Sequence, residues 1–321
     1  MTTVAVIIPC YRDSRTLSRA LDSVMAQSRR PDEIIVVNDA SPETAEIEAV
    51  LIAYPQVDYV VNSQNLGLAA TRNAGVQAAS SEIVSFLDAD DELHPQKLEM
   101  QLSLYRPART ISCCVARIGD ERGTDSVVTY SREPKYSVFT DSSVLVRKNI
   151  LTGASMMLSR ELFLSLGGYD ESLRSCEDFD FWLRVLDTGI PAYNINLPLY
   201  LYRVNENGLS RNMLNISYWE LEVVKKYYGR QHLVGARPSG EAITLGIWLF
   251  KHFVRYEYCR DQRLLQMTYR NIELLGLRSF VRTILSFAQK SGLIFAVSVL
   301  LSIKTRGSIL VNVAKRILKN K

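Results

Sequence analysis

Val4-Ala5-Val6-Ile7-Ile8-Pro9 is an unbroken apolar run closed by a proline, the pattern of a strand buried on both faces of a parallel sheet. Glu33-Ile34-Ile35-Val36-Val37 repeats the pattern and stops at Asn38-Asp39, and Val57 to Val61 and Ile83 to Leu87 are a third and a fourth run. Between the runs, Leu17, Ala20, Leu21, Val24 and Met25 recur at helical spacing. Ser41-Pro42 opens a second helix from Glu43 to Ala53, and Ala69 to Ala79 reads as a third. Strands alternating with helices at this rhythm predict a doubly wound α/β sheet with right-handed crossovers. Ligands of such sheets sit at the carboxyl ends of the strands. Pro9-Cys10-Tyr11, Asn38-Asp39 and Asp88-Ala89-Asp90 therefore share one rim.

Beyond Pro95 the pattern is mixed. Ile111 to Ile118, Val127 to Tyr130 and Gly153 to Leu158 read as strands, with a short helix to Leu166 and a turn at Gly167-Gly168. Phe179 to Leu186 reads as helical and Ala192 to Arg203 as extended, and from Ser217 onward helical, apolar-basic sequence dominates. The segment Gly235-Ala236-Arg237-Pro238-Ser239-Gly240 marks a boundary. Residues 1–235 are expected to form one domain, with a first half of about 1–100 and a second of about 101–235, and residues 236–321 a helical region.

Net charge is +4 over 321 residues, too little to call for a nucleic-acid partner. From Lys251 onward, however, fourteen Lys and Arg face only Glu257, Asp261 and Glu273, so the remainder of the chain is acidic. Apolar and basic faces on tail helices suit the anionic surface of a membrane, lying in the interface without crossing it; a helical subdomain packed on the first domain with a basic solvated face is the alternative. The apolar run Gly292 to Ile303 is well short of the about 20 residues a spanning helix needs. Five cysteines without framework spacing fit a reducing compartment, and Met1-Thr2-Thr3-Val4 lacks a signal-peptide pattern. The expected location is cytoplasmic, peripheral on the inner face of the membrane.

Asp88-Ala89-Asp90-Asp91 offers hard oxygen donors to a hard cation, with Asp88 and Asp90 able to point the same way from an extended strand end. An acidic turn before Pro95 is the alternative. His94, His232 and His252 are scattered and give no support to a His-based zinc site or a Ser-His-Asp triad. Neither G-x-x-x-x-G-K-[ST] nor G-x-G-x-x-G follows the first strand.

Four motifs occur in order: Val6-Ile7-Ile8-Pro9-Cys10-Tyr11, Glu33 to Ser41, Asn65-Leu66-Gly67-Leu68-Ala69-Ala70-Thr71-Arg72-Asn73-Ala74-Gly75, and Phe86-Leu87-Asp88-Ala89-Asp90-Asp91. Together they resemble the family-2 inverting glycosyltransferases, over roughly residues 4–210. The resemblance implies a GT-A fold: a Rossmann-like mixed sheet flanked by helices, here followed by a C-terminal helical region. It implies that Pro9 and Tyr11 line the nucleotide pocket, that Asp39 reads the base, and that Arg72 lies near the nucleotide or diphosphate. A carboxylate can accept the imide N–H of uracil, and a guanidinium pairs well with phosphate. Asp88 is assigned to ribose and metal and Asp90 to the metal, Mg²⁺ or Mn²⁺. Asn65 is counted with the donor-binding residues, shaping the loop and opening the helix rather than touching ligand, and Asp13 stands where a carboxylate is often seen in the family.

Two positions depart from the family pattern. Arg12 stands where an Asn is usual, and Asn205 where relatives often carry a His, which leaves a third metal ligand open. Cys176-Glu177-Asp178-Phe179-Asp180 resembles the family's E-D motif, with Asp178 as the base, Glu177 in reserve and Asp180 favouring a helix start. Arg203 is a candidate for neutralising diphosphate, with a surface role as the alternative.

The function expected is transfer from a nucleotide-sugar, a UDP-sugar first, to a hydroxyl on a saccharide or lipid-linked saccharide in surface-polysaccharide synthesis. A non-catalytic nucleotide-sugar-binding or scaffold protein is the alternative. A nucleotidyltransferase would want a Gly- and Lys-rich loop where Pro9-Cys10-Tyr11-Arg12-Asp13 stands.

Overall fold

A computed structural model describes residues 2–107, 109–118, 135–147, 149–203 and 212–233. The expected strand Val127 to Tyr130, the domain boundary near 235, Asn205 and the basic tail lie outside the described residues. The chain divides into two units, Met1–Leu209 and Ser210–Lys321. In the second, the described element is a helix, Met213–Leu233. No helix among the described residues is long and apolar enough to cross a membrane.

The first unit is built on a mixed sheet. Strand β1 (Val4–Cys10) is buried along its whole length, because parallel neighbours flank it on both sides. β2 (Glu33–Asn38) and β3 (Asp58–Val61) extend the parallel array to one side, and β4 (Ile83–Phe86) lies on the other. The half-exposed Asp58-Tyr59-Val60-Val61 suits an edge position. β4 then pairs antiparallel with β8 (Met157–Ser159), and the sheet continues through β6 (Thr110–Ile118) to β9 (Ala192–Arg203). β5 (Glu92–Leu93) and β7 (Tyr136–Phe139) both pair antiparallel with β9. The parallel half is thus the doubly wound sheet the sequence predicts, and the antiparallel insertion of β8 makes the whole mixed.

Helices follow the apolar spacing. α1 (Ser14–Met25) buries Leu17, Ala20, Leu21 and Val24, and α2 (Thr44–Leu51) buries Ile47. α3 (Leu68–Ala78) lies so close to the sheet that a Cβ on Gly75 would fall 2.4 Å from Ile7 Cγ2 and 3.1 Å from Val37 Cγ2. Glycine is what permits this approach. α4 (Lys97–Leu104), α5 (Ser142–Arg147), α6 (Arg160–Ser165) and α7 (Glu177–Asp187) complete the unit. Two expectations need correction. Gly153 to Leu158 is not one strand: it opens with a 3-10 turn, Gly153–Ser155, and only Met157–Ser159 joins the sheet. α7 begins two residues earlier than Phe179, at Glu177, which puts both acids of the E-D motif in its first turn.

Phe86, Phe163, Tyr169 and Phe181 pack ring against ring, with centroids 4.9–5.9 Å apart, joining β4, α6 and α7 in one aromatic nest. Lys97 of α4 is a polar group within the core. It has no exposed surface, and its Nζ donates to Ser85 Oγ at 2.8 Å. Burial pulls its ammonium down from an ordinary 10.5 to about 8, with Cys113 acting weakly in the other direction.

Because that folded value lies below the unfolded one, the chain gains stability as pH rises from about 8 to 10.5, and carries the full penalty below that window. Lys97→Met is expected to stabilise the fold by about 1–3 kcal/mol at neutral pH. Its margin over wild type should close as pH approaches 10.5. Urea unfolding of both proteins across this range measures the margin, and a margin that stays constant contradicts the buried ammonium.

Candidate active site

The carboxyl ends of β1, β2 and β4 open onto the rim. Pro9 is buried in β1, in register with Val37, whereas Tyr11 is 37% exposed just beyond the strand. Among the described residues, three non-glycines have positive φ: Arg12 (62°), Ala40 (51°) and Cys176 (62°). They follow Tyr11, follow Asp39 and precede Glu177, so all the left-handed strain outside glycine sits beside candidate site residues. Asn tolerates this conformation better than Arg, so the departure at position 12 falls on a left-handed backbone. The Arg12 N–H donates to Ser41 Oγ at 3.0 Å, and its guanidinium lies 5.3 Å from the Tyr11 ring centre.

Asp39 is buried and works on its neighbours. Oδ1 accepts from Asn62 Nδ2 (2.8 Å) and the Leu66 N–H (2.9 Å), and Oδ2 from the Gly67 N–H (2.8 Å). The carboxylate therefore shapes the loop that carries the exposed Asn65 and leads into α3. With about four lone-pair sites in a carboxylate, it keeps room for one further donor.

The acidic loop after β4 is divided between two tasks. Asp91 is buried, accepting from Tyr200 Oη and from the Arg203 N–H, both at 2.7 Å, which ties the loop to β9. Burial raises its pKa, with Asp88 and Asp90 adding to the effect. Asp88 and Asp90 are half-buried. Asp13, across the rim, is pushed up to about 7 by burial and then by the charges of Asp90 and Asp88. Arg203 is buried, with Nε paired to Glu92; Arg19 Nε meets the same carboxylate at 3.1 Å. The guanidinium assigned to diphosphate by resemblance thus sits against an acid of β5.

Arg72 binds the two halves of the site together. It is 3% exposed. Nη2 meets Asp88 Oδ1 at 2.5 Å and Nη1 meets Glu177 Oε1 at 2.7 Å, with the guanidinium 5.8 Å from the Tyr169 ring centre. Burial works against its charge, but the two carboxylates hold it protonated. Glu177 is raised by burial and by Asp178, against the pull of Arg72. Asp178 is also raised by burial, while two backbone N–H groups oppose the shift. Those donors are Gly153 on Oδ2 (2.8 Å) and Phe179 on Oδ1 (2.7 Å). A Cβ on Gly153 would lie 2.5 Å from Asp178 Cβ, so the 3-10 turn that replaces the expected strand is the seat of this carboxylate. Asp180 instead pairs with Arg184 Nε at 2.8 Å, and Arg184 caps the Leu166 and Gly168 carbonyls.

Several of these partners carry little local signal. Asn73 clamps the turn before α7 by accepting the Tyr169 N–H (2.8 Å) and donating to the Tyr169 carbonyl and Glu171 (2.9 Å each). A Cβ on Gly168 would strike its Oδ1 at 2.6 Å. Asn73 stands next to Arg72 in the third motif, which was its signal. Tyr200 and Glu92 had none.

Asp13 and Asp91 are raised by burial and then by the charges of Asp88 and Asp90, so negative charge collects at this rim. Among the described residues no three His, Cys, Asp or Glu side chains form a metal cluster. Asp88 and Asp90 match the one or two carboxylates that Mg²⁺-type ions take when substrate phosphates and water supply the other oxygens.

The model of a family described as glycosyl transferase family 2 matches residues 5–167, a span that includes Asp88 and Asp90 and ends before Asp178. An uncharacterized glycosyltransferase of Rickettsia bellii is 26% identical over 186 residues, 57% of this chain and 27% of that protein. One from Haemophilus influenzae is 31% identical over 208 residues, 61% of this chain and 66% of that protein. The chain thus spans less than two thirds of either relative. Among solved structures, S. aureus TarS 1–349 in complex with UDP-GlcNAc matches with a TM-score of 0.59 at 19% identity, covering 78% of this chain and 73% of that one. That likeness shows the fold.

Gly153→Ala is expected to displace Asp178 while sparing the nucleotide side. Turnover should fall at least about 10-fold, as for a misplaced group, with nucleotide affinity unchanged. Steady-state kinetics beside calorimetric nucleotide binding would show this, and unaltered turnover would contradict the seating of Asp178 on Gly153.

Proposed function

The chain belongs to glycosyl transferase family 2, and on that premise we propose that it moves a sugar from a UDP-sugar to an acceptor hydroxyl with inversion at the anomeric carbon. The observation that carries this reading is the Arg72 bridge, which sets the half-buried Asp88 beside the Glu177-Asp178 pair. An inverting transfer needs those two features side by side: a place for the departing diphosphate, and a base for the incoming hydroxyl.

Asp178 is the base. It takes the acceptor proton as the acceptor oxygen bonds to the anomeric carbon and the bond from that carbon to the diphosphate oxygen breaks. The N–H groups of Gly153 and Phe179 orient its carboxylate. Glu177, already engaged by Arg72, positions rather than reacts. Asp88 and Asp90 would hold Mg²⁺ or Mn²⁺, which when bound supplies charge to stabilise the leaving diphosphate. Tyr11, Asp13 and Asp39 line the nucleotide side, with Pro9 beneath them and Asn65 on the loop that Asp39 holds. The basic, apolar sequence of residues 236–321 supports an acceptor saccharide carried on a membrane lipid, with the protein peripheral on the inner face.

Asp178→Asn is expected to lower kcat by about 10²–10⁴-fold and leave UDP affinity intact. Asp90→Ala or EDTA should remove turnover and weaken UDP binding. Transfer assays with a UDP-sugar panel and divalent cations test both, with the anomeric configuration of the product read by NMR. Full turnover in Asp178→Asn removes the base, full turnover in EDTA removes the metal, and a retained anomer removes inversion.

A further inference from the structure

Arginines aimed at a departing diphosphate stabilise its developing charge, and most arginines near the acidic rim are already engaged. Arg72 is shared by Asp88 and Glu177, Arg203 and Arg19 meet on Glu92, and Arg184 is held by Asp180. Arg12 lies over Tyr11; the Ser14 hydrogen bonds hold the Glu43 carboxyl below its usual range, with Arg15 and then Arg12 adding to the effect.

Arg174 differs. It is exposed, and no ion pair joins it to a carboxylate among the described residues. Its backbone is nevertheless anchored on both sides. Glu171 accepts from Asn73 of α3, Leu173 is buried with its N–H on the Asp170 carbonyl, and Cys176 turns the chain into α7. From that anchor the side chain reaches across to the donor side. A Cβ on Gly67 would lie 3.4 Å from Arg174 Nη1, and Gly67 is the residue whose N–H Asp39 holds. With φ of +90° and no side chain, Gly67 leaves open the surface on which the guanidinium rests.

An arginine fixed at its root, without a carboxylate partner, beside a rim crowded with acids is placed for an anionic ligand. Its planar fork suits paired phosphate oxygens. We propose that Arg174 binds the diphosphate of the nucleotide donor, reaching it from the loop that leads into the base-bearing helix. This inference rests on the transferase reading given above.

Calorimetry with Mn²⁺ on the full chain tests it, using UDP, GDP and dTDP with the matching nucleosides, against wild type, Arg174→Gln and Arg174→Lys. For the diphosphate that wild type binds best, Arg174→Gln should lose about 10–100-fold in affinity, as expected for a charged hydrogen-bonded contact. Arg174→Lys should recover part of the loss, and affinity for the nucleoside should not change. Diphosphate binding in Arg174→Gln equal to wild type overturns the assignment while leaving the transferase reading standing. An equal loss for nucleoside and diphosphate overturns it in favour of a structural role. Wild type that binds none of the three diphosphates overturns both readings together.

Discussion

A single buried guanidinium organises this molecule's rim. Arg72 leaves α3 and joins Asp88, sixteen residues on, to Glu177, more than a hundred residues on. The buried guanidinium is shared between the half-buried Asp88 and the buried Glu177, and among the described residues Arg72 Nε has no hydrogen-bond partner. Such an arrangement is seldom the most stable use of a core position. Its value is positional: the end of β4 and the start of α7 are fixed at one point.

The neighbouring contacts follow from that constraint. Arg72 must sit deep, so α3 must press on β1 and β2, which Gly75 allows. The turn before α7 must come down beside α3, and Asn73 clamps it there against Gly168. With α7 so placed, Asp178 lands on Gly153, where only a glycine leaves room. The aromatic nest of Phe86, Phe163, Tyr169 and Phe181 fills the space beneath, and Tyr169 presents its ring to the Arg72 cation. Backbone strain at Arg12, Ala40 and Cys176 marks three of the places where the chain leaves regular structure beside the rim.

Much of this is legible in the sequence. Continuous apolar runs at Val4, Glu33 and Ile83 announced buried parallel strands, and β9 lies within the bounds its extended pattern suggested, Ala192–Arg203. The acids at strand ends and at the start of α7 stood out for the same reason: local period and local chemistry are written in adjacent residues. Partnerships were not. Nothing near Asp39 reveals that it holds the amides of Leu66 and Gly67, and nothing near Arg203 reveals Glu92. Gly153 read as part of a strand because its reason for being glycine, Asp178, lies 25 residues away. Arg174 carried no signal at all, since an exposed arginine in a loop acquires meaning only from what it faces.

Arg72 couples Asp88 to the first turn of α7, and a double-mutant cycle between Arg72→Met and Glu177→Gln measures that coupling directly. Arg72→Met alone should cost about 3–5 kcal/mol by leaving buried acids unpaired. Adding Glu177→Gln should restore part of that loss, giving an interaction energy of about 1–3 kcal/mol in denaturant unfolding. Effects that add to within about 0.5 kcal/mol would mean the two residues act independently, and the bridge would not be what holds the site together.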